Sequence, residues 1–307
     1  MSLLVREPGL FSLLVDRGRA RTRHLGVPLG GAADRAALAL GNALVGNPPD
    51  AVAVEVTLAG PALEARHPVA CVVFGAPFLD TVNGRPISPG TTFTLEAGDV
   101  LRVGGTATGA RGYLCVAGGF DAPAILGSRS ALEPLRAGEV LTCRASRIEA
   151  RSLPFHSLLS PLEGEGSVLR VLDGPQRDWF TGDSFFTQVY EVTPASNRMG
   201  LRLKGEPLAR RPGELVSEAV APGAVQVTND GLPVVLGVDG QTIGGYPKVA
   251  HVARADLDRL AQLRPGDLVR FARVSPDEAE ALAKERAALL KLWLTRLRVA
   301  DRQPAFV

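Results

Sequence analysis

Short apolar runs bounded by turn residues recur along the whole chain, and this pattern limits the possible fold more than any other feature. Ten of these runs have the length and composition of β-strands, at residues 52–58, 70–74, 91–95, 100–103, 113–116, 168–172, 188–192, 224–227, 234–238 and 268–274. The 34 glycines and 23 prolines supply turns between them and leave little sequence for long helices. A mainly β fold is therefore predicted, and 307 residues are enough for two domains.

Local signals predict one hairpin and one short helix in the first half of the chain. The pair Asn83-Gly84 has the residues that a two-residue hairpin turn requires. Residues 32–45 carry an apolar stripe of helical spacing, with Asp34 in the first turn and Gly46 after the end. A carboxylate in the first turn is favoured by the helix dipole, so Asp34 and Asn42 are predicted to be structural residues.

An internal repeat predicts how the chain is divided. EVTLAGPALEA shares L-x-G-x-x-L with GLRLKGEPLAR, and EAGDVLRVG shares G-D-x-x-R with RPGDLVRFA. A duplicated barrel-like unit accounts for both pairs. We therefore predict an N-terminal domain at residues 1–150 and a C-terminal domain at residues 151–307, with a Ser-, Pro- and Glu-containing linker at residues 144–167.

Composition argues against several classes of partner. Aromatic residues make up 5% of the chain, which leaves few platforms for stacked bases, and the net charge of +2 is spread without a basic stripe. No apolar run reaches the roughly eighteen residues that cross a bilayer, and the first residues lack the plan of a signal peptide. We expect no nucleic-acid or membrane partner, a cytoplasmic location, and three cysteines that are buried and reduced.

Motifs for nucleotide and metal chemistry are missing from the sequence. There is no G-x-x-x-x-G-K-[ST] loop, no C-x-x-C, no H-E-x-x-H and no G-x-S-x-G. The four histidines are dispersed without a second ligand at a metal-binding spacing, so no protein-held metal is predicted. The A-M-K-M type of biotin attachment sequence is also missing. Any ATP chemistry is therefore assigned to a partner or to an unfamiliar site.

The C-terminal segment predicts a helix that is available to a partner. Ser275 and Glu278 form a capping box with Pro276 at the first helical position, before an amphipathic run. A closed barrel covers its own core without the apolar side chains of Trp293 and Leu297 in this run. Together with the missing nucleotide site, these two residues predict a hetero-oligomer. The alternative is a helix that packs on its own barrel.

The segment GVDGQTIGGYPKVA at residues 237–250 is the most unusual in the chain. Its four glycines allow a ligand to approach backbone N–H groups, and Gln241, Thr242, Tyr246 and Lys248 offer directed polar contacts. Lys248 stands between a turn and an apolar strand start, in a chain whose basic residues are mostly arginine. The alternative is a glycine-rich surface loop with a snorkelling lysine at a strand end.

Three more polar residues lie at turns that lead into strands. Glu218 and Gln226 flank the turn in SEAVAPGAVQV, and Arg198 precedes the strand in SNRMGLRL. Each is better explained as an ordinary turn or surface residue when it is taken alone. Because polar turns of one barrel can converge on one mouth, the set predicts a small-molecule site there.

Six segments together resemble one known family. They are GVPLGGAADRAALALGNALVGNPPDAVAVEVTLAGP, GYLCVAGGFDAPAILGSRS, LRVLDGPQRDWF, SNRMGLRL, SEAVAPGAVQV and DGQTIGGYPKVA. In this order they resemble the biotin-dependent carboxyltransferase family, also called allophanate hydrolase subunit 2. The resemblance implies a mainly β fold of two tandem cyclophilin-like β-barrel domains with a few helices. The chain departs from the family pattern at Ala33, Gly240 and Ile243, where methionine, alanine and threonine are more usual.

The resemblance implies three functions. The first is a subunit of an ATP-dependent 5-oxoprolinase, which opens the lactam of 5-oxoproline to glutamate with an allophanate hydrolase subunit 1-like protein and a third 5-oxoprolinase subunit; which subunit binds ATP is left open. The second is carboxyl transfer from carboxybiotin, held on a separate carrier, to urea or a related amide. The third is a non-enzymatic regulator that sequesters a kinase-inhibitor partner. The 307-residue chain is expected to be a stand-alone subunit and not part of a large fused urea carboxylase, which favours the first and third functions, in that order.

Both enzymatic functions act on an amide whose carbonyl oxygen must take up negative charge. The candidate catalytic residues are Lys248, Gln241, Glu218 and Asp239, and the candidate substrate-binding residues are Arg198, Gln226, Thr242, Gly244, Gly245 and Tyr246. Lys248, Gln241 and the backbone N–H groups of the two glycines are expected to donate to that oxygen. Arg198 is expected to bind a substrate carboxylate, and Glu218 or Asp239 to act as the base.

Overall fold

A computed structural model describes residues 2–153 and 167–300. The described residues divide into two compact units, the first made of residues 2–18, 34–153 and 289–300 and the second of residues 19–33 and 167–288. Most of the predicted linker lies outside the described residues, and the predicted domain boundary after residue 150 stays a prediction.

The described residues form twenty strands and four α-helices. The strands are β1 (Ser2–Glu7), β2 (Phe11–Val15), β3 (Ala53–Thr57), β4 (Ala62–Ala65), β5 (Val69–Gly75), β6 (Thr81–Val82), β7 (Arg85–Pro86), β8 (Phe93–Leu95), β9 (Val100–Arg102), β10 (Arg111–Val116), β11 (Val140–Thr142), β12 (Ser167–Asp173), β13 (Tyr190–Val192), β14 (Gly200–Lys204), β15 (Glu218–Ala219), β16 (Ala224–Val227), β17 (Pro233–Leu236), β18 (Ile243–Gly244), β19 (Lys248–Val252) and β20 (Leu268–Arg273). The helices are α1 (Arg35–Leu44), α2 (Ser184–Thr187), α3 (Leu257–Gln262) and α4 (Pro276–Ala300).

The first unit contains two sheets that share one core. The strand orders are β11-β1-β4-β9-β6-β7 and β2-β3-β10-β5-β8. Buried side chains of both sheets, such as Leu63 and Leu114, belong to a single apolar cluster. Helix α1 packs on β5 and β10, where a Cβ at Gly41 would lie 2.9 Å from Cys115 Sγ. The glycine therefore permits the close approach of the helix.

The second unit is a closed seven-stranded barrel of strand order β12-β19-β16-β17-β14-β13-β20. β12 and β20 pair in parallel, and the other neighbours are antiparallel. Its core includes Phe185 and Phe271, whose rings stack with centroids 4.5 Å apart. A separate two-stranded ribbon joins β15 to β18. The ribbon contains the candidate residues Glu218 and Gly244, and β19 begins at Lys248.

The prediction of a mainly β chain with two tandem cyclophilin-like barrel domains is confirmed. Each of the ten predicted runs contains a strand. The hairpin turn at Asn83-Gly84 joins β6 to β7, and both turn residues have positive φ angles, as such a turn requires.

Cys71, Cys115 and Cys143 are free and buried, and burial raises the pKa of the Cys143 thiol to about 11. No helix of the described residues is long and apolar enough to cross a membrane.

Both predicted helices form, and one starts later than predicted. The capping box is present, because Glu278 N donates to Ser275 Oγ at 3.2 Å and Ser275 N donates to Glu278 Oε2 at 2.7 Å. Trp293 and Leu297 are half-buried in α4. The first helix begins at Arg35 rather than at residue 32, because Asp34 is its N-cap and its Oδ1 accepts from Ala37 N at 2.9 Å. The placement of Asp34 in the first helical turn is therefore wrong, because the helix begins three residues later than predicted and Asp34 precedes its first residue.

The repeated G-D turns have the same hydrogen bond. Asp99 Oδ2 accepts from Glu96 N at 2.8 Å, and Asp267 Oδ2 accepts from Arg264 N at 2.9 Å. Each turn leads directly into a strand, β9 in the first unit and β20 in the second. The same turn also occurs before β11, where Glu139 takes the place of the aspartate. It is therefore a recurrent strand-start turn, and the two copies of the repeat share it.

Replacing Asp34 by asparagine is expected to lower the melting temperature by about 1–3 °C and to leave activity unchanged. Asparagine also caps helices, so the substitution removes mainly the favourable interaction of the charge with the helix dipole. Thermal unfolding of D34N beside D50N, which changes an exposed aspartate, measures the effect. Loss of activity at an unchanged melting temperature would show that Asp34 has a direct functional role.

Candidate active site

Lys248 begins β19 and lies almost completely inside the second unit. It is 6% exposed, and the next two residues of the strand are fully buried. The ladder with β16 shifts register here, because Val225 pairs with Ala250 whereas Gln226 pairs with Lys248. Such a bulge leaves one strand residue without a partner and redirects the neighbouring side chains. Lys248 and Gln226 thus lie side by side at the end of the barrel ladder.

The Lys248 ammonium forms an ion pair with Glu218 Oε1, from strand β15. The same carboxylate oxygen accepts a hydrogen bond from Gln176 Nε2 at 2.7 Å. The ammonium of Lys248 lowers the pKa of Glu218, whose side chain is 40% exposed. Glu218 is therefore ionised at neutral pH, and the ion pair faces solvent on the carboxylate side only.

Gln176 contacts the backbone of Lys248 in addition to the carboxylate of Glu218. Its Oε1 accepts from Lys248 N at 3.0 Å, and its own backbone N donates to Lys248 O at 3.2 Å. This approach depends on Gly174 in the turn after β12, where a Cβ would lie 2.2 Å from Lys248 O. Only glycine allows the turn to lie against β19 at this distance.

Two more glutamines extend the cluster. Gln226 is 1% exposed, its Oε1 accepts from Gln241 Nε2 at 3.2 Å, and its Nε2 lies 3.5 Å from Tyr246 O. A Cβ on Gly244 would lie 2.5 Å from Gln226 Nε2, so a larger residue at this position would displace that carboxamide. Gln241 and Tyr246 are exposed. The glutamine pair therefore connects a buried position to the surface of the loop.

The loop between β17 and β19 is held by the ribbon and by an arginine. Glu218 pairs with Gly244 across the ribbon, and Val220 N donates to the carbonyl of buried Thr242 at 3.0 Å. Arg23 Nη2 donates to Val220 O and, at 3.3 Å, to Gln241 O. The ribbon and Arg23 therefore fix both ends of the segment that contains Thr242 and Gly244.

Arg198 and Asp239 form a second ion pair in the second unit. Arg198 Nε donates to Asp239 Oδ2 at 2.7 Å and its Nη2 donates to Oδ1 at 3.0 Å, which is a bidentate contact. The same Nη2 donates to Gly31 O at 2.7 Å. Arg198 is 7% exposed. In this structure the fork of the guanidinium is directed at Asp239, and a substrate carboxylate would have to compete with that residue.

The structure brings most of the sequence-derived candidates together. Direct contacts or cross-strand pairs connect a set made of Lys248, Glu218, Gln226, Gln241, Tyr246 and Gly244, and we call this set with Gln176 the glutamine cluster. Thr242 and Gly245 belong to the same loop, whereas Arg198 and Asp239 pair with each other. Sequence reasoning missed Gln176 and Arg23, although Gln176 lies in one of the six family segments.

The four charged residues among the sequence-derived candidates are balanced pair by pair, which limits what they can bind. The Lys248 cation faces the Glu218 anion, and the Arg198 cation faces the Asp239 anion. The remaining polar groups are carboxamides, which donate and accept hydrogen bonds in the way that a substrate amide does. Among the described residues, no three His, Cys, Asp or Glu side chains lie close enough to hold a metal ion. The site is therefore suited to a neutral amide group.

Comparison with known proteins shows which family the chain resembles over most of its length. The family model for the carboxyltransferase domain, subdomain A and B, matches residues 25–273. A 5-oxoprolinase subunit of Haemophilus influenzae is 34% identical over 287 residues, covering 90% of this chain and 92% of that protein. A crystal structure of TTHA0988 has a TM-score of 0.79 and 37% identity, and covers 88% of this chain and 55% of that one.

Urea carboxylase of Kluyveromyces lactis has a crystal structure with a TM-score of 0.87 and 28% identity, over 95% of this chain and 29% of that one. The chain thus spans about half of the TTHA0988 chain and less than a third of the urea carboxylase chain. The matched region includes all residues of the glutamine cluster. The chain belongs to the carboxyltransferase domain family, over subdomains A and B.

Proposed function

We propose that this chain is one subunit of a 5-oxoprolinase, an enzyme complex that opens the lactam of 5-oxoproline to glutamate. The observation that carries the proposal is the glutamine cluster, in which three carboxamides and one buried ammonium converge at the start of β19. A lactam is a neutral amide, so its carbonyl accepts from such donors and its N–H donates to carboxamide oxygens. Similarity to a protein named as a 5-oxoprolinase subunit over 90% of the chain supports the same substrate.

The cluster is suited to the charge that develops when a lactam opens. Water adds to the carbonyl carbon, the ring C–N bond breaks, and the nitrogen takes up a proton to become the amine of glutamate. In the transition state the carbonyl oxygen gains negative charge, and fixed donors in a site with little water stabilise it. Lys248 supplies a buried cation for that oxygen, while Gln241 and the backbone N–H group of Gly245 are the proposed further donors; Gly244 pairs with Glu218 across the ribbon.

Glu218 is proposed to hold Lys248 in place before the substrate binds. A general base works best when its pKa lies near the working pH, whereas the ammonium of Lys248 lowers the pKa of Glu218. Its contacts with Lys248 and Gln176 therefore favour a positioning role over proton abstraction. The second candidate base, Asp239, is proposed to hold Arg198 and the loop that follows it.

ATP is proposed to act elsewhere in the complex. A triphosphate needs several cations or a row of free backbone N–H groups. The cations Lys248 and Arg198 already face carboxylates, so these two residues do not fit a triphosphate. An allophanate hydrolase subunit 1-like protein and a third 5-oxoprolinase subunit are the proposed partners, in a cytoplasmic hetero-oligomer.

Co-expression with the two partner proteins tests the function. The assembled complex is expected to form glutamate from 5-oxoproline with hydrolysis of ATP, and omission of this chain is expected to abolish the reaction. Glutamate formation by the two partners alone at the full rate would contradict the proposal. A chain that by itself hydrolyses ATP when 5-oxoproline is added would contradict the hetero-oligomer.

Carboxyl transfer is the second candidate function, and one observation favours it. The chain aligns with the urea carboxylase structure at a TM-score of 0.87 over 95% of its length. Urea and the ureido ring of biotin are neutral amides too, so the glutamine cluster fits them for the same physical reason. Consumption of urea in the presence of a carboxybiotin carrier, without any turnover of 5-oxoproline, would select this function instead.

Gly244→Ala is expected to lower the activity of the complex about tenfold, because the new Cβ displaces the carboxamide of Gln226. Gly105→Ala, in the first unit, is the matched control, since the nearest neighbour of the new Cβ, Leu58 O, would lie 3.9 Å away. Initial rates of the two variants provide the measurement. Equal rates for both would show that the position of Gln226 is unimportant for turnover.

A further inference from the structure

The proposed substrate carries a carboxylate as well as a lactam, and the glutamine cluster offers it no free cation. The ammonium of Lys248 faces Glu218, and the guanidinium of Arg198 is held by Asp239 in a bidentate contact. The anion of 5-oxoproline therefore needs a positive group that is close to the ribbon and is not already neutralised.

Arg23 is such a group. Its Nη2 donates to two backbone carbonyls, Val220 O and Gln241 O, and no carboxylate of the described residues pairs with it. Its Nη1 is shielded from solvent and has no hydrogen-bond partner among the described residues. A buried guanidinium N–H without an acceptor is uncommon, because its lost hydration is not replaced.

The position of Arg23 matches the shape of the substrate. Val220 follows strand β15 two residues after Glu218, which corresponds to about 7 Å along an extended chain. Arg23 thus lies at one end of the β15–β18 ribbon, and the ion pair of Lys248 with Glu218 lies at the other. In 5-oxoproline the carbonyl and the carboxylate flank the ring nitrogen on opposite sides, so the two groups can face the two ends of the ribbon.

We propose that Arg23 binds the carboxylate of the lactam substrate, and that it thereby selects α-carboxylated lactams over neutral ones. This inference rests on the proposed function and adds the substrate class. Binding of the carboxylate requires the partly buried Arg23 side chain to turn, so that Nη1, which is shielded from solvent and has no partner in the free protein, donates to the substrate. Because Arg23 and the loop 237–246 both contact the bound substrate in this arrangement, a lactam without a carboxylate loses one of the two anchors.

The test compares 5-oxoproline with 2-pyrrolidone, which has the same ring and no carboxylate. Binding to the full chain is measured by titration calorimetry, and KM for 5-oxoproline is measured with the assembled complex. Arg23→Gln is expected to weaken the binding of 5-oxoproline about thirtyfold and the binding of 2-pyrrolidone less than threefold. Arg23→Lys is expected to keep part of the preference for 5-oxoproline over 2-pyrrolidone that Arg23→Gln loses. Arg254→Gln, at an exposed arginine of the same unit, is the control and is expected to change neither of the two affinities.

Equal weakening of both compounds by Arg23→Gln would show that Arg23 only holds the ribbon, and an unchanged affinity for 5-oxoproline would show that it does not contact the carboxylate. Either result overturns the inference while the wild-type complex still turns over 5-oxoproline. If the wild-type chain binds neither compound and the complex does not turn over 5-oxoproline, the proposed function is wrong and the inference falls with it.

Discussion

Replacing Lys248 by alanine is expected to lower turnover of the assembled complex at least about a hundredfold, the scale on which one lost oxyanion donor acts. Lys248 is the buried cation of the glutamine cluster, and no other positive group contacts Glu218 among the described residues. The fold should survive, because the Glu218 side chain is 40% exposed and can be hydrated after its partner is removed. The effect should therefore appear in kcat, with partner binding unchanged.

Lys204→Ala is the matched control for Lys248→Ala. Lys204 is an exposed lysine at the end of β14 in the same unit, so its removal is expected to change turnover less than twofold. Steady-state kinetics and the melting temperature of both variants are compared in the same complex. Near-normal turnover of the Lys248 variant would mean that catalysis takes place elsewhere, and the regulatory function would then gain support.

Asp80 in the first unit is expected to make the stability of the protein fall as the pH rises. The residue is 4% exposed, its Oδ1 has no hydrogen-bond partner among the described residues, and burial raises its pKa to about 7. Between about pH 4 and pH 7 the folded state holds a proton that the unfolded state has released. Raising the pH through this window therefore favours unfolding, and above it the full cost of burying the charge remains.

Asp80→Asn removes this titration and keeps the shape of the side chain. The free energy of unfolding of the variant, relative to the wild type, is expected to increase by about 3 kcal/mol between pH 5 and pH 8. Urea unfolding at both pH values measures the difference, and Asp121→Asn, at an exposed aspartate, controls for the loss of a negative charge. A difference that does not vary with pH would show that Asp80 is ionised normally in the folded protein.

Local patterns were sufficient to predict half of the twenty strands and the loop that carries the candidate site. The alternation of apolar runs with glycine and proline located ten strands, because these residues control the backbone within a few positions of themselves. The loop 237–246 stood out because glycines and polar side chains there have no use in a barrel core. Lys248 was recognised from its position at the start of an apolar strand. These are short-range signals, and the structure preserves them.

Contacts between distant segments could not be predicted in the same way. Arg23 and Gln241 are 218 residues apart in sequence, and no periodicity connects them. Gln176 follows a proline in a turn, and its role depends on Gly174, which allows that turn to lie on β19. The bidentate contact of Arg198 with Asp239 is likewise a product of the closed barrel. Such partners are set by the fold as a whole.

A crystal structure of the assembled complex with 5-oxoproline tests the central claim most directly. We expect the lactam ring at the glutamine cluster, with its carbonyl oxygen within hydrogen-bond distance of Lys248 Nζ and of at least one carboxamide nitrogen. The ion pair of Lys248 with Glu218 should lengthen as the ammonium turns toward the substrate. A lactam bound at another site, with the ion pair of Lys248 and Glu218 unchanged, would contradict the assignment of the active site to this cluster.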